Sequence, residues 1–100
     1  MKNNKDISVI KEKLQQQLPF LSERFKVKSL GIFGSYIHQK QTKSSDLDLL
    51  IDFNEVPSLL KFIELENYLT DLLGIKVDLV MRKALKPRIG KRILKNVQNL

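Results

Sequence analysis

The chain has 100 residues, 42% of them hydrophobic, which is enough for one small globular domain with a single core. It has no cysteine, which excludes disulfides and thiolate metal sites, and no apolar run approaches the roughly 18 residues of a membrane span. The N-terminus carries charged residues instead of an apolar leader segment. These features predict a single domain, residues 1–100, that is cytoplasmic and does not bind a membrane.

The net charge of +7 is distributed unevenly along the chain. Residues 1–45 hold nine Lys or Arg against three acids, residues 46–78 hold two against eight, and residues 79–100 hold seven against none. An acidic centre between basic arms suits a metal site that must also attract a polyanionic ligand. Two other interpretations are open: basic side chains solvated on helix faces, and a basic C-terminal segment that contacts nucleic acid.

The first half of the chain is predicted as a helix and two strands. Apolar residues at three- and four-residue spacing indicate a helix from about Asp6 to Leu18. Pro19 is expected to kink or restart this helix, because proline has no N–H to donate and its ring clashes with the preceding turn. Beyond it, Phe20, Leu21 and Phe25 are expected to continue an apolar face. A short strand covers residues 27–33, and a second apolar strand begins at Leu47.

The second half is predicted as helix, strand and helix. Pro57 suits the first turn of a helix, and Gly74 suits its C-cap. A third strand covers residues 76–81. A final helix covers residues 86–97, with four apolar side chains expected to point inward: Ile89, Ile93, Leu94 and Val97. This order predicts an α/β (α+β) fold, in which helices pack against a small mixed three-stranded sheet.

Two aspartates, Asp46 and Asp48, stand at the start of the second strand. Because side chains alternate along a strand, both carboxylates would project from one face. Unpaired carboxylates repel each other, and burying their charge is costly unless a partner or a metal compensates it. Mg²⁺ binds carboxylate oxygens together with substrate phosphates, so the pair predicts a metal site. The structural alternative is that both are exposed and cap a neighbouring turn.

The first strand ends at Gly34 and Ser35. Glycine allows a sharp turn and a close approach of the backbone to a ligand, and the serine adds a hydroxyl group. If a helix begins at Tyr36, the free N–H groups of its first turn would point toward the carboxylates and form a cradle for phosphate. Together, the two motifs predict a site that binds a triphosphate and a metal.

The ordered pattern of these motifs resembles the nucleotidyltransferase superfamily related to DNA polymerase beta. The pattern consists of a strand, Gly34-Ser35, ten residues, Asp46-x-Asp48 in a second strand, and Asp78 in a later strand. The short length and the Leu-Lys-Pro sequence before the last helix are similar to the minimal nucleotidyltransferases that are often paired with HEPN-type partners. The resemblance covers about residues 25–97. One departure is His38, which stands where close relatives commonly have an arginine.

The resemblance implies a metal-dependent enzyme with ATP as its substrate. Asp46 and Asp48 would hold Mg²⁺ on the nucleotide phosphates, and Asp78 would help to bind a second Mg²⁺ and take the proton from the acceptor hydroxyl. Gly34 and Ser35 would hold the β- and γ-phosphates.

The resemblance also implies a protein acceptor. AMP would be transferred to a hydroxyl of a partner, a tyrosine of a cognate HEPN-type toxin, and the chain would act as its antitoxin. Two alternatives are a catalytically inactive antitoxin that neutralises its toxin by binding, and a basic nucleic-acid-binding module.

The sequence also allows a structural role for Asp78, a salt bridge with Lys76 or Arg82.

Overall fold

The computed structural model describes residues 7–34 and 46–100. Within these ranges the chain forms, in order, α1 (Ile7–Phe25), β1 (Val27–Phe33), β2 (Leu47–Phe53), α2 (Leu59–Leu73), β3 (Val77–Met81), a short 3₁₀ turn (Arg82–Ala84), α3 (Pro87–Asn96) and β4 (Gln98–Asn99). The predicted fold class, a mixed sheet with helices packed against it, is confirmed. In the described ranges, no helix is long and apolar enough to cross a bilayer.

The sheet has four strands in the order β3-β2-β1-β4. β1 pairs antiparallel with both β2 and β4, whereas β2 and β3 are parallel and are connected through α2. The prediction of three strands was therefore one strand short. β4 consists of Gln98 and Asn99 only, which pair with Ile32 and Gly31, and a two-residue strand has no apolar alternation that a sequence could reveal.

The two faces of the sheet have different coverings. In β2, alternate residues from Leu47 to Phe53 belong to the main core, whereas Asp48 and Asp52 are half-buried on the opposite face. The main core is formed with apolar side chains of α1 and α2. The opposite face is approached by the C-terminal segment: a Cβ built on Gly31 would lie only 2.5 Å from Val97 Cγ2.

Helix α1 continues through Pro19 to Phe25, so the predicted end at Leu18 is wrong. The buried residues of α1 are spaced by four, seven and four positions, which forms one continuous stripe: Ile10, Leu14, Leu21 and Phe25. Pro19 lies on the exposed side of the helix. Burial of the two apolar residues beyond the proline offsets the backbone hydrogen bond that proline cannot make.

Helix α2 has a complete cap at each end. The Ser58 hydroxyl accepts a hydrogen bond from the Lys61 N–H at 3.2 Å, so the helix begins after Ser58 and Pro57 stands just before the N-cap. At the other end Gly74 adopts the left-handed conformation, with φ of 67°, and its N–H donates to the Thr70 carbonyl at 2.9 Å. The predicted C-cap is confirmed.

Helix α3 is more exposed than its sequence pattern predicted. Gly90 is its only buried residue, whereas Ile89 and Leu94 are 57% and 40% exposed, so their predicted inward positions are wrong. A Cβ built on Gly90 would lie 3.2 Å from Leu85 Cβ, which shows how closely the helix packs there. The remaining surface of α3 is free to line the clefts described below.

Candidate active site

Asp48 and Asp78 lie side by side on neighbouring strands. The parallel pairing of β2 and β3 places the two residues in direct register. Adjacent strands are about 4.8 Å apart, so both carboxylates project from the same sheet face within reach of a common ligand. Asp46, half-buried, directly precedes β2. The structure therefore brings Asp48 and Asp78 side by side, with Asp46 just before β2 at the same end of the sheet.

Electrostatic repulsion within this group is concentrated on Asp48. Partial burial raises the pKa of the Asp48 carboxyl above its ordinary value of 3.8, and the negative charges of Asp78 and then Asp46 raise it further. A cation bound between the carboxylates would relieve the repulsion.

Lys76 forms an ion pair with Asp46 and not with Asp78. Its Nζ atom lies 4.0 Å from Asp46 Oδ2, with the lysine side chain largely exposed, so the pair contributes little stability. Among the described residues Asp78 has no ion pair within 4.0 Å, which argues against the structural salt bridge with Lys76 or Arg82. Asp78 is an exposed carboxylate beside the half-buried Asp48.

Gly34 is required at its position for two reasons. Its φ is +80°, a conformation that L-residues rarely adopt. In addition, a Cβ at this position would collide with Asp48 Oδ2 and lie 3.1 Å from Asp48 Cγ, because Phe33 and Asp48 are paired in the sheet. Gly34 therefore lies directly against the central carboxylate, and its predicted role in binding phosphate stays a prediction. Ser35, the other predicted nucleotide-binding residue, lies outside the described residues.

The carboxylates would bind Mg²⁺ together with the phosphates of the substrate, and not as a complete set of protein ligands. Within residues 7–34 and 46–100, no three acidic, histidine or cysteine side chains are grouped closely enough to hold a metal by themselves. Mg²⁺ is usually held by one or two carboxylates together with water and substrate phosphates, and seldom by a cage of protein ligands alone. Asp48 and Asp78, in register and mutually repelling, fit that donor set.

Two side chains of α2 position the strand that carries Asp78. The Thr70 hydroxyl accepts a hydrogen bond from the Val77 N–H at 3.0 Å, and Glu66 Oε2 accepts one from the Leu79 N–H at 3.1 Å. Among the described strands β3 lies at the edge of the sheet, so no described strand pairs with these N–H groups. Neither residue was predicted from the sequence, since their role depends on how α2 packs against β3.

Helix α3 and the residues before it form one wall of two clefts beside the carboxylates. A cleft of about 400 Å³ is lined by Asp48 and Asp78 and by largely apolar side chains, among them Phe33, Ile89 and Ile93. A smaller cleft of about 170 Å³ is lined by Phe33, Gly34, Arg92, Ile93 and Asn96. Phe33 and Ile93 line both, so the clefts adjoin. The carboxylates and Gly34 thus lie against a mixed apolar and basic wall.

The pKa of Asp48 predicts a pH effect on the metal-free protein. Between pH 3.8 and the raised pKa, the folded state binds a proton that the unfolded state has lost, so the free energy of unfolding falls as pH rises through this window. Asp48→Asn removes this dependence. We therefore expect the stability advantage of Asp48→Asn over wild type to grow with pH and then level off, as measured by urea unfolding in EDTA from about pH 4 to about pH 7.

Asp52→Asn serves as the control, because Asp52 lies on the same strand and face but accepts a hydrogen bond from the Phe53 N–H at 3.0 Å. It should show no such gain at neutral pH. If Asp48→Asn is no more stable than wild type at neutral pH, the repulsion among the three carboxylates is too weak to matter.

Comparison with known proteins identifies the class to which this fold and site belong. Residues 14–100 match the family model of the nucleotidyltransferase domain. The chain belongs to this family, and the prediction made from the sequence motifs is confirmed.

Individual relatives are more specific. The chain is 56% identical over 77 residues to "Protein adenylyltransferase MntA" of Thermococcus cleftensis, covering 77% of this chain and 78% of the relative. It is also 56% identical over 90 residues to the Methanocaldococcus jannaschii protein MJ0128, covering 89% of this chain and 92% of the relative, whose name gives protein adenylyltransferase as its expected activity.

Solved structures share the fold. One, provisionally described as a minimal nucleotidyltransferase, has a TM-score of 0.80 at 32% identity and covers 95% of this chain and 96% of its own. Another is described as a tri-AMPylated Shewanella oneidensis HEPN toxin in complex with MNT antitoxin. It has a TM-score of 0.59 at 20% identity and covers 96% of this chain and 67% of its own, a likeness that concerns the fold alone.

Proposed function

We propose that this chain transfers AMP from ATP to a hydroxyl group of a partner protein, a tyrosine of a HEPN-type toxin, and thereby acts as its antitoxin. The observation that carries the proposal is the registered pair Asp48 and Asp78, with Asp46 and Gly34 against it. The name of the Thermococcus relative supports protein AMPylation, and the resemblance of the motifs to minimal nucleotidyltransferases that are often paired with HEPN-type proteins suggests the partner. Because the reaction consumes ATP, we expect it to occur in the cytoplasm.

Each predicted site residue has a role in this proposal. Asp46 and Asp48 would hold Mg²⁺ on the nucleotide phosphates, and Asp78 would share a second ion on the acceptor side. Gly34 and Ser35 would contact the β- and γ-phosphates through backbone N–H groups and the serine hydroxyl. When bound, Mg²⁺ supplies stabilisation of the negative charge that develops on the phosphate oxygens.

The reaction is an in-line displacement at the α-phosphorus. The acceptor hydroxyl gives its proton to the Asp78 carboxylate, and its oxygen forms a bond to the α-phosphorus. The bond from the α-phosphorus to the bridging oxygen breaks, and pyrophosphate leaves with that bonding pair. The protein contributes mainly alignment of the reactants and electrostatic stabilisation, for which rigid carboxylates on neighbouring strands are suited.

A second candidate function, neutralisation of the toxin by binding alone, is favoured by a different surface. Four large apolar side chains at and before the start of α2 are exposed, Leu59 and Leu60 by 73% and 80%, followed by Val56 and Ile63. They follow the end of β2 that lies opposite the carboxylates. Such a patch is suited to contact a protein whether or not AMP is transferred.

The test is incubation of the purified chain with Mg²⁺, ATP labelled at the α-phosphate, and the product of the adjacent gene. AMP transfer predicts label on the partner that depends on Mg²⁺ and is lost when ATP is labelled at the γ-phosphate instead. If the partner binds tightly but stays unlabelled, the result would contradict AMP transfer and support neutralisation by binding alone.

A further inference from the structure

The C-terminal segment is rich in basic side chains, and helix α3 carries several of them. Helix α3 contains four basic residues and no acidic residue: Arg88, Lys91, Arg92 and Lys95. Within the described part of the chain, none of the four lies within 4.0 Å of a carboxylate oxygen. Their charge is therefore available to an external anion.

Arg92 differs from the other α3 cations in what it faces. It lines the 170 Å³ cleft together with Gly34, the residue that lies against Asp48. Arg88, one turn earlier, lines a separate groove formed with Ile89, Arg92 and Ile93, which contains neither Gly34 nor a carboxylate. Asn96 lies one helical turn after Arg92 and lines the same small cleft. Its Nδ2 donates a hydrogen bond to the Arg92 carbonyl at 3.0 Å.

A triphosphate beside three carboxylates needs cationic groups other than the metal. Between Gly34 and Asp46 the sequence supplies two lysines and no arginine. A guanidinium group is planar and always charged, and it can donate two parallel hydrogen bonds to one phosphate, which an ammonium group cannot do with the same geometry. Arg92 is the arginine that shares a cleft with Gly34.

We infer that Arg92 binds the terminal phosphates of the nucleoside triphosphate. In this arrangement the α-phosphate lies at Asp48 and Asp78, and the β- and γ-phosphates extend over Gly34 into the smaller cleft, where the Arg92 guanidinium contacts them. The inference rests on the proposed function of the same site but assigns a binding role to α3.

A role for Arg92 in binding the terminal phosphates predicts different effects on ATP and AMP. ATP carries the two phosphates that reach Arg92, whereas AMP carries only the phosphate at the carboxylates. Loss of the guanidinium should therefore weaken ATP binding and leave AMP binding nearly unchanged. A residue that merely stabilised α3 would affect both nucleotides alike.

The experiment is calorimetric titration of ATP and AMP, with Mg²⁺, into the wild-type chain and three variants. Arg92→Gln should raise the Kd of ATP about 10- to 100-fold and change the Kd of AMP by less than about twofold. Arg92→Lys, which keeps the charge without the two-pronged geometry, should lie between Arg92→Gln and wild type. Arg88→Gln removes the same group one turn away, so it is the matched control and should leave ATP binding within about twofold.

Three results would overturn the inference: unchanged ATP affinity in Arg92→Gln, an equal loss in Arg88→Gln, or parallel losses for ATP and AMP. Because Arg92 is exposed, its substitution should not disturb the fold, and circular dichroism of each variant checks this. The titration requires no toxin, so a chain that binds ATP through Arg92 but modifies no partner would contradict the proposed function and not this inference.

Discussion

Replacing Asp48 with asparagine is expected to lower AMP transfer by roughly a thousandfold while the fold survives. Asparagine has nearly the same shape but no charge, so it cannot compensate a divalent cation on the phosphates. Asp48 is the central carboxylate: it is in register with Asp78 and lies against Gly34. The rate is measured as label transferred from α-labelled ATP to the toxin, with circular dichroism as the check on folding.

The matched control is Asp52→Asn, an identical change four residues further along the same strand and face. Asp52 is bonded to the backbone of Phe53 and stands away from both clefts described above, so transfer should be unaffected. Equal activity in Asp48→Asn and Asp52→Asn would disprove the assignment of the metal site to Asp48.

Gly34→Ala is expected to have the second-largest effect, on both activity and stability. The new methyl group would collide with Asp48 Oδ2 and displace the carboxylate, and an L-residue at φ of +80° adds backbone strain of about 1–3 kcal/mol. Displacement of a metal-binding carboxylate by about 1 Å can cost roughly 100-fold in rate. The rate of transfer and the free energy of unfolding in urea are measured on the same preparation.

Gly74→Ala separates these two effects. Gly74 has nearly the same backbone conformation, with φ of 67°, but caps α2 and lines neither cleft of the site. It should lose a similar amount of stability and retain transfer. If Gly34→Ala is no less active than Gly74→Ala, close contact between residue 34 and Asp48 is not needed for the reaction.

Local sequence patterns were sufficient for most of the secondary structure. The bounds of β1 were predicted correctly, and the strand ends directly before Gly34, where the sequence indicated a sharp turn. The end of α2 followed from Gly74, whose left-handed conformation is the usual helix stop. Pro19 misled the prediction of α1, because the cost of a proline in a helix is local, whereas the apolar stripe that outweighs it extends along the whole helix.

The arrangement of the site depended on tertiary structure. The sequence indicated that Asp46, Asp48 and Asp78 occur at strand starts, but their proximity requires that β2 and β3 be parallel neighbours in register. The hydrogen bonds that Thr70 and Glu66 accept from β3, and the cleft that Arg92 shares with Gly34, join residues distant in sequence. No periodicity within one element reveals such contacts.

AMP transfer to the toxin is tested most directly by the intact mass of the toxin after co-expression with this chain. The toxin is expected to gain one or more AMP units with the wild-type chain and none with Asp78→Asn, although Asp78→Asn still binds ATP because Asp46, Asp48 and Gly34 are unchanged. Binding and chemistry would then be separated at the acceptor side of the site. A toxin that remains unmodified yet is silenced by both chains would contradict the account and identify the chain as an antitoxin that acts by binding alone.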